Sequence, residues 1–381
     1  MKIAFLTAGG IAPCLSASIG ALIEEYNNIA PNAKLIGYLN GYRGLLLGKS
    51  ITIPETVKSN AKILYEFGGS PIGNSRVKLT NIDDCVKKGY VKKGDNPLQV
   101  AANQLIKDEV DILHTIGGDD TNTMAAELAK YLKENNYNLT VVGMPKTVDN
   151  DVMPITQTLG ALTAAEQGAI FFENIINENT TSTRQLIIHE VMGRHCGWLT
   201  AATAVAYRHR LNKRTFLPAI QLSKERWNID AIYVPELPID MQSEMTRLRK
   251  LMNKKDCINI FLSEGAGKEE IVTELEANGE EIPKDAFGHV KLDLINPGKW
   301  FAKKFAKELK ADKTLVQKSG YFARSAAPNS RDLALIKGSA MLAAESALAG
   351  ENGVVGMDVE ANDELRLIDF KRIKGGKEFD I

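Results

Sequence analysis

The sequence predicts an α/β protein built on mostly parallel sheets, and three observations carry that expectation. Short β-favouring runs alternate with longer segments that are apolar at helical spacing. Most of these runs stop at a glycine or acidic cluster. The chain has 381 residues, of which 44% are apolar, enough for two or three domains with sizeable cores.

Lys2–Leu6 reads as the first strand and stops at Thr7-Ala8-Gly9-Gly10. Leu15–Tyr26 follows as a helix that Pro31 and Asn32 end, and Leu35–Leu39 is the next strand. The pattern recurs at Asp111–Ile116, which runs into Gly117-Gly118-Asp119-Asp120 and a helix from Thr121 to about Asn135. Leu139–Met144 is a strand stopped by Pro145. A second series begins with a helix over Gln157–Asn177 and a strongly apolar strand, Gln185–Val191. Helices are then expected over Cys196–Tyr207 and Met241–Asn253, and strands over Ala231–Val234 and Cys257–Leu262. The basic, irregular stretch 208–230 reads as an insertion, and Gly265–Pro297 as a loop with a short helix. Trp300–Leu309 and Arg331–Ala349 are helical, and the last twenty or so residues form a surface strand and tail. Strands and helices alternating in this way imply parallel sheet covered on both faces.

Charge and motif content exclude several classes. Lys and Arg total 47, Asp and Glu also 47, and this balance argues against a nucleic-acid surface. No apolar stretch approaches the roughly 20 residues of a membrane span, and MKIAFLTAGG runs straight into a strand and glycines, unlike a secretory signal. Neither nucleic acid nor membrane is therefore expected as a partner, and a cytoplasmic location is. Cys14, Cys85, Cys196 and Cys257 lie far apart with no CxxC spacing, which predicts free thiols in a reducing compartment. The dinucleotide and Walker glycine patterns, GxSxG and HExxH are all absent.

In open parallel sheets, ligands bind beyond the carboxyl ends of the strands, and the unusual residues fall there. Gly9-Gly10 forms either a plain tight turn or a place where backbone N–H groups meet an oxyanion. In Gly117-Gly118-Asp119-Asp120-Thr121, Asp120 or Thr121 can cap the following helix, while Asp119 can hold Mg²⁺ through water. Pro145-Lys146-Thr147-Val148-Asp149-Asn150-Asp151 joins a cation, a hydroxyl and two carboxylates; a decorated turn is its bland reading. Arg76 ends a glycine-rich loop and can grip phosphate bidentately or stay exposed. Gly193, Arg194, Tyr321 and Arg324 suit a second phosphate or sugar pocket, and Glu264 can accept sugar hydroxyl protons. His189, inside an apolar strand, reads as a satisfied core histidine; His195 is a candidate pocket residue, and Trp198, Trp227 and Trp300 read as packing.

Taken together these clusters resemble the phosphofructokinase family, and within it the pyrophosphate-dependent enzymes. The resemblance runs through GGIAPCLSASIG, NGYRGLL, GGSPIGNSR, IGGDDT, PKTVDND, EVMGRHCG, LSEGA and GYFARSAAPNSRDLALIKG, in that order. It implies two Rossmann-like domains with the active site in the interdomain cleft. Residues 1–147 with 326–358 would be the donor-phosphate domain, and 148–325 with 359–381 the sugar-phosphate domain. The implied reaction is phosphoryl transfer to the C1 hydroxyl of fructose 6-phosphate, with Mg²⁺ as cofactor. On these motifs Asp149 is the general base, Asp151 supports the metal and the geometry, Asp119 is the Mg²⁺-associated aspartate, and Thr147 and Lys146 complete the catalytic set. Gly10, Arg76, Gly118, Asp120 and Lys146 match donor-phosphate contacts. Met192, Gly193, Arg194, Glu264, Tyr321 and Arg324 match sugar-phosphate contacts, with Thr147 and Asp149 at the reacting end.

Donor choice rests on two positions. ATP-dependent relatives usually carry glycine where this chain has Asp120 and Lys146. An Asp120 carboxylate would fill and repel the space of a nucleotide α-phosphate, an unpaired like-charge contact, while Lys146 supplies a point charge to pyrophosphate. The alternatives are an ATP-dependent 6-phosphofructokinase, a kinase for a related sugar phosphate, and a catalytically inactive sugar-phosphate-binding subunit. Retention of Asp119, Asp149 and Asp151 argues against the last. The chain departs from the usual pattern at Ser325-Ala326-Ala327, at Gln185 beside Arg184, and at Leu315 between Lys313 and Lys318. A homodimer is expected, with a tetramer as the alternative.

Overall fold

The computed structural model describes residues 1–283, 290 and 292–379. In chain order the strands among them are β1 (Lys2–Thr7), β2 (Lys34–Tyr38), β3 (Ser50–Thr52), β4 (Ile112–Gly117), β5 (Thr140–Pro145) and β6 (Gln185–Val191), then β7 (Ala231–Tyr233), β8 (Cys257–Ser263), β9 (Lys313–Lys318), β10 (Gly353–Asp358) and β11 (Glu364–Ile368). They form one sheet in the order β11-β10-β5-β4-β1-β2-β3 and another in the order β7-β8-β6-β9. The second sheet is wholly parallel. The first is parallel from β10 to β2, with β11 and β3 as antiparallel edges. The expected α/β class with mostly parallel sheets is borne out.

The chain divides into two compact units, Met1–Thr163 with Arg324–Lys377, and Ala164–Ala323 with the C-terminal residues from Glu378. This differs from the expected partition. Residues 359–377 belong with the first unit because β11 pairs with β10, Val354 opposite Ile368. Arg324 and the segment up to Thr163 also lie in the first unit.

Strand alternation explains how each sheet is covered. In β1, Ala4 and Leu6 join a core with Ala101, Leu105 and Leu128 of helices Pro97–Lys107 and Asp119–Glu134. Phe5, one residue out of phase, faces Tyr26 of helix Leu15–Ile29, with ring centroids 6.4 Å apart. In β6, Leu186 and Ile188 pack with Leu248, Phe301 and Phe305, whereas His189 sits among Phe171, Phe172 and Phe261. Each fully buried leucine, isoleucine or phenylalanine among these contributes about 1.5–3 kcal/mol of transfer free energy, which offsets the backbone entropy of ordering the strand.

Several elements depart from the sequence reading. The helix expected from Gln157 begins at Ala161, and tertiary bonds explain the delay. Thr158 donates its N–H to Asn150 Oδ1 at 2.8 Å, Leu159 donates to the Pro145 carbonyl at 2.9 Å, and Gly160 takes φ +93°. The buried Asp332 carboxylate then accepts the N–H groups of Gly160 (3.1 Å) and Thr163 (2.7 Å), capping the new helix from a distant element. Helix Trp198–Asn212 absorbs the start of the supposed 208–230 insertion, whose remainder holds short helical turns at Pro218–Ile220 and Lys224–Trp227. Helices Lys268–Ala277 and Leu292–Ile295 lie in the 265–297 region, part of which is outside the described residues. The four cysteines are buried free thiols. No helix among the described residues is long and apolar enough to cross a membrane.

Candidate functional site

The first unit gathers its polar clusters at the carboxyl ends of three neighbouring strands, β1, β4 and β5. Gly9-Gly10 follows β1, with Gly9 at φ +86°, a conformation that favours glycine. A Cβ on Gly9 would lie 3.0 Å from Lys146 Nζ; one on Gly10 would lie 3.2 Å from Arg324 Nη2 and 3.4 Å from Arg76 Nη2. Three cationic side chains thus surround a dipeptide that has no side chain of its own. Such a cradle fits a compact polyanion.

Asparagines hold this cradle in shape. Asn74 Nδ2 donates to the carbonyls of Gly9 (3.2 Å) and Gly10 (3.3 Å), and Gly9 N–H donates to Ser75 O at 2.9 Å, which fixes the loop carrying Arg76. Asn122 Nδ2 donates to Gly117 O and Gly118 O, both at 3.1 Å, locking the turn after β4. Asn150, buried and left-handed at φ 56°, donates to Thr156 O at 2.9 Å and accepts from Thr158. The sequence reading missed all three as site residues; Asn74 and Asn150 lie inside quoted motifs and Asn122 directly follows one, which was the only available signal.

Lys146 Nζ donates to Gly10 O at 2.8 Å and is almost fully buried. Burial, reinforced by the neighbouring Arg324 and Arg76, pulls its pKa from 10.5 down to about 8. A bound anion would relieve that cost. Next along the chain, Thr147 Oγ1 accepts the Asp149 N–H (3.1 Å) and donates to Asp151 Oδ1 (3.1 Å), so one hydroxyl ties the two carboxylate-bearing residues.

Helix Asp119–Glu134 starts two residues earlier than expected, with Gly118 as N-cap and no side-chain cap. Neither Asp120 nor Thr121 caps it, because both already lie within the helix. Its first-turn N–H groups therefore have no capping side chain. Burial raises the Asp119 pKa, and the nearby Asp120 and Asp151 carboxylates add to the effect. Asp120 forms an ion pair with Lys78 at 2.7 Å. The lysine partly neutralises the carboxylate, so any repulsion of a nucleotide phosphate at this position would be weaker than that of a lone charge. Arg324, grouped above with the sugar contacts, lies against Gly10 and donates Nε–H to Ile11 O at 3.2 Å.

The second unit gathers its own cluster at the carboxyl ends of β6, β8 and β9. Val191 and Ser263 are register partners, so Met192-Gly193-Arg194 and Glu264-Gly265 emerge side by side. Ser263 Oγ donates to Gly193 O at 2.6 Å, Glu264 N–H to Val191 O at 2.9 Å and Gly265 N–H to Gly193 O at 3.2 Å. A Cβ on Gly265 would fall 2.0 Å from Arg194 O. Tyr321 follows β9, itself paired with β6, and is 79% exposed. Glu190, missed in the sequence reading, is buried and anchors this edge: it pairs with Lys318 at 2.7 Å and accepts the Gly298 N–H at 3.0 Å.

The shifted basic residues have structural partners. Arg184 donates to Lys310 O at 2.7 Å and to Asn253 Oδ1 at 3.1 Å, and Lys313 pairs with Glu178 at 2.7 Å. Gln185 is buried with neither side-chain polar atom hydrogen-bonded within the protein. The backbone of Ser325-Ala326 packs on Gly68, whose Cβ would meet both carbonyl oxygens at 2.2 Å. His189 is a core residue, yet neither ring nitrogen has a protein partner; aromatic packing holds it, and burial lowers its pKa to about 3. Trp227 is buried in the second unit and Trp300 packs edge-on against Phe301 at 5.0 Å, as packing residues do.

A cation-lined glycine cradle beside paired carboxylates defines a phosphoryl-handling protein. The chain belongs to the phosphofructokinase family, whose model matches residues 2–347. It is 59% identical over 380 residues to the pyrophosphate–fructose 6-phosphate 1-phosphotransferase of Methylomonas methanica, covering 100% of this chain and 93% of that one. The protein of the same name from Methylotuvimicrobium alcaliphilum is 58% identical over 380 residues, with the same coverage. In fold it resembles the crystal structure of pyrophosphate-dependent phosphofructokinase from Marinobacter aquaeolei, with a TM-score of 0.73 at 19% identity, covering 100% of this chain and 85% of that one.

Proposed function

We propose that this chain transfers a phosphoryl group from pyrophosphate to the C1 hydroxyl of fructose 6-phosphate, giving fructose 1,6-bisphosphate and phosphate. The observation that carries the reading is the convergence of Lys146, Arg76 and Arg324 on Gly9-Gly10. The name shared by two relatives, 59% and 58% identical, supports the same donor and acceptor.

The chemistry assigned to each residue follows from its surroundings. Asp149 takes the C1 hydroxyl proton as the new C1–O–P bond forms and the P–O–P bond breaks, with phosphate as the leaving group. Thr147 orients Asp149 through its backbone and Asp151 through its carboxylate. Lys146 and Arg76 balance charge on the diphosphate, where pre-set electrostatics carries most of the catalysis. Asp120, locked to Lys78, fills space that a nucleotide would need, so donor selection rests on a fixed ion pair as well as on charge. The second unit's Met192, Gly193, Arg194, Glu264 and Tyr321 bind the sugar phosphate.

Mg²⁺ fits the carboxylates of the first unit. The donor set is all oxygen, and Asp119 lies close enough to Asp120 and Asp151 for their charges to shift its pKa upward. Among the described residues no group of three or more His, Cys, Asp and Glu could hold a metal ion by itself; Mg²⁺ ordinarily keeps several waters and is bound by one or two carboxylates with substrate phosphate. Asp119 and Asp151 would hold it, and it would supply positive charge at the phosphate oxygens. A homodimer, with a tetramer as alternative, and a cytoplasmic setting complete the proposal; the four buried thiols support a reducing compartment.

Coupled assays with fructose 6-phosphate and either pyrophosphate or ATP test the donor. Turnover with pyrophosphate and little with ATP is expected, and a clear ATP preference would overturn the roles of Asp120 and Lys146. Asp149→Ser should fold and bind substrate while losing about 10²–10⁴ in rate. Activity within about threefold of the parent would leave no room for a general base worth that much.

A further inference from the structure

The C-terminal segment after β11 lies against the carboxylates of the first unit. A Cβ on Gly375 would fall 2.0 Å from Asp119 Oδ2 and 2.7 Å from its Cγ, so the Asp119 carboxylate occupies the space where any other residue would carry its side chain. On the other carboxylate-bearing loop, Lys377 N–H donates to Asp151 O at 3.1 Å and Lys377 Nζ to Ile155 O at 2.9 Å. Met153 and Lys374 exchange both backbone hydrogen bonds, at 2.7 and 3.1 Å.

Anchors that do not involve Asp119 set the position of this segment. Ile373 is buried with Val152, Ile155, Val354 and Ile368. Just before it, Arg372 grips Asp358 through two bonds of 2.7 and 2.9 Å. Gly376, at φ +81°, turns the chain, and a Cβ there would meet nothing within 4 Å. With Gly375 held from both sides, its Cα limits the directions open to the Asp119 carboxylate.

We propose that residues 373–377 are a positioning strap for the metal-holding carboxylates, acting on Asp119 through the bare Cα of Gly375 and on the Asp151 loop through the Lys377 backbone. The proposal rests on the reading of Asp119 and Asp151 as Mg²⁺ residues. A side chain at position 375 would push the Asp119 carboxylate off its direction without touching any sugar contact.

The test uses the full-length protein and two readouts: Mn²⁺ binding followed by electron paramagnetic resonance with methylenediphosphonate present, and the Mg²⁺ concentration for half-maximal velocity. Gly375→Ala should weaken both by about tenfold or more, as loss of a ligand's supporting contact usually does. The KM for fructose 6-phosphate should stay within about twofold, since the sugar contacts are untouched. Gly376→Ala strains the same turn without reaching Asp119 and should leave Mn²⁺ binding unchanged. In an Asp119→Asn background, Gly375→Ala should add no further loss, because the strap acts through that carboxylate. A folded Gly375→Ala protein with parental Mn²⁺ binding, alongside a weakened Asp119→Asn, would overturn the strap and leave the metal reading standing. Parental binding in Asp119→Asn would instead overturn the metal reading. Should Gly375→Ala fail to fold, Lys377→Pro, which removes the N–H bond to Asp151, takes its place with the same expected weakening, and unchanged binding there sinks the proposal.

Discussion

Glycine does opposite things at the two sheet edges. In the first unit, Gly9 and Gly10 face the ends of flexible cations, Lys146 Nζ at 3.0 Å and the Arg324 and Arg76 guanidinium groups at 3.2 and 3.4 Å from a notional Cβ. In the second, Gly193 and Gly265 face fixed backbone, with Cys196 O at 2.4 Å and Arg194 O at 2.0 Å. The missing side chain opens room for a ligand in one case and lets two loops interlock in the other. A glycine after a strand is therefore not by itself evidence of a phosphate site; what lies beside it decides.

The contrast breaks most sharply at Gly265. Gly265→Ala should cost about 3 kcal/mol or more, since overpacking against backbone has no flexible partner to give way, and denaturant melts would register it as a lower midpoint. Stability close to that of the parent would mean the loops are not interlocked. Buried histidines extend the comparison to the two cores. In the first unit His114 Nε2 meets Tyr26 Oη at 2.6 Å and Nδ1 meets Val142 O at 3.1 Å, whereas neither ring nitrogen of His189 in the second is hydrogen-bonded and its ring packs on Phe171, Phe172 and Phe261. His114→Phe should lose about 1–3 kcal/mol by stranding those partners, and His189→Phe should be near neutral or stabilising. Equal losses in thermal melts would erase the distinction.

Gly10→Ala is a milder change, because the neighbouring atoms are side-chain ends. It should raise the KM for pyrophosphate about tenfold, as expected for crowding one charged contact, while the KM for fructose 6-phosphate and the melting temperature barely move. A matched rise in both KM values would mean that the cradle does not select the donor. The smallest effect concerns pH. Lys146 has its folded pKa lowered to about 8 from 10.5, so between these values the unfolded chain binds more protons. Its contribution to stability should then rise with pH across that window, while kcat/KM for pyrophosphate falls as the cation is lost above about 8. Lys146→Met should abolish both trends, and a basic limb that persists in that variant would belong to another group.

Much of this was legible in the chain. Period-two and helical spacings are local, so strands such as Gln185–Val191 and helices such as that after Asp240 were found close to their true places. The edges were harder. Helix Ala161–Ile175 starts late because Asn150, Pro145 and Asp332 claim the preceding backbone, and no local pattern reports partners that far away. Strand β9, polar and partly exposed, has little apolar signal and exists because β6 offers it a parallel register. Among site residues, the charged and glycine positions stood out by type, whereas Asn74, Asn122 and Asn150 did not, since a buried amide is ordinary in sequence and matters only through the carbonyls it meets.

By itself the sequence determined the alternating α/β plan, the strand-end clusters and the family, because side-chain periodicity and motif order are properties of neighbouring residues. Only the tertiary structure decided that Lys78 holds Asp120, that Arg324 stands with Arg76 over Gly10, and that Gly375 lies beneath Asp119. Those three pairings join residues from 42 to 314 positions apart by subtraction of their numbers, and interactions at such separations arise from packing, which a linear pattern does not encode.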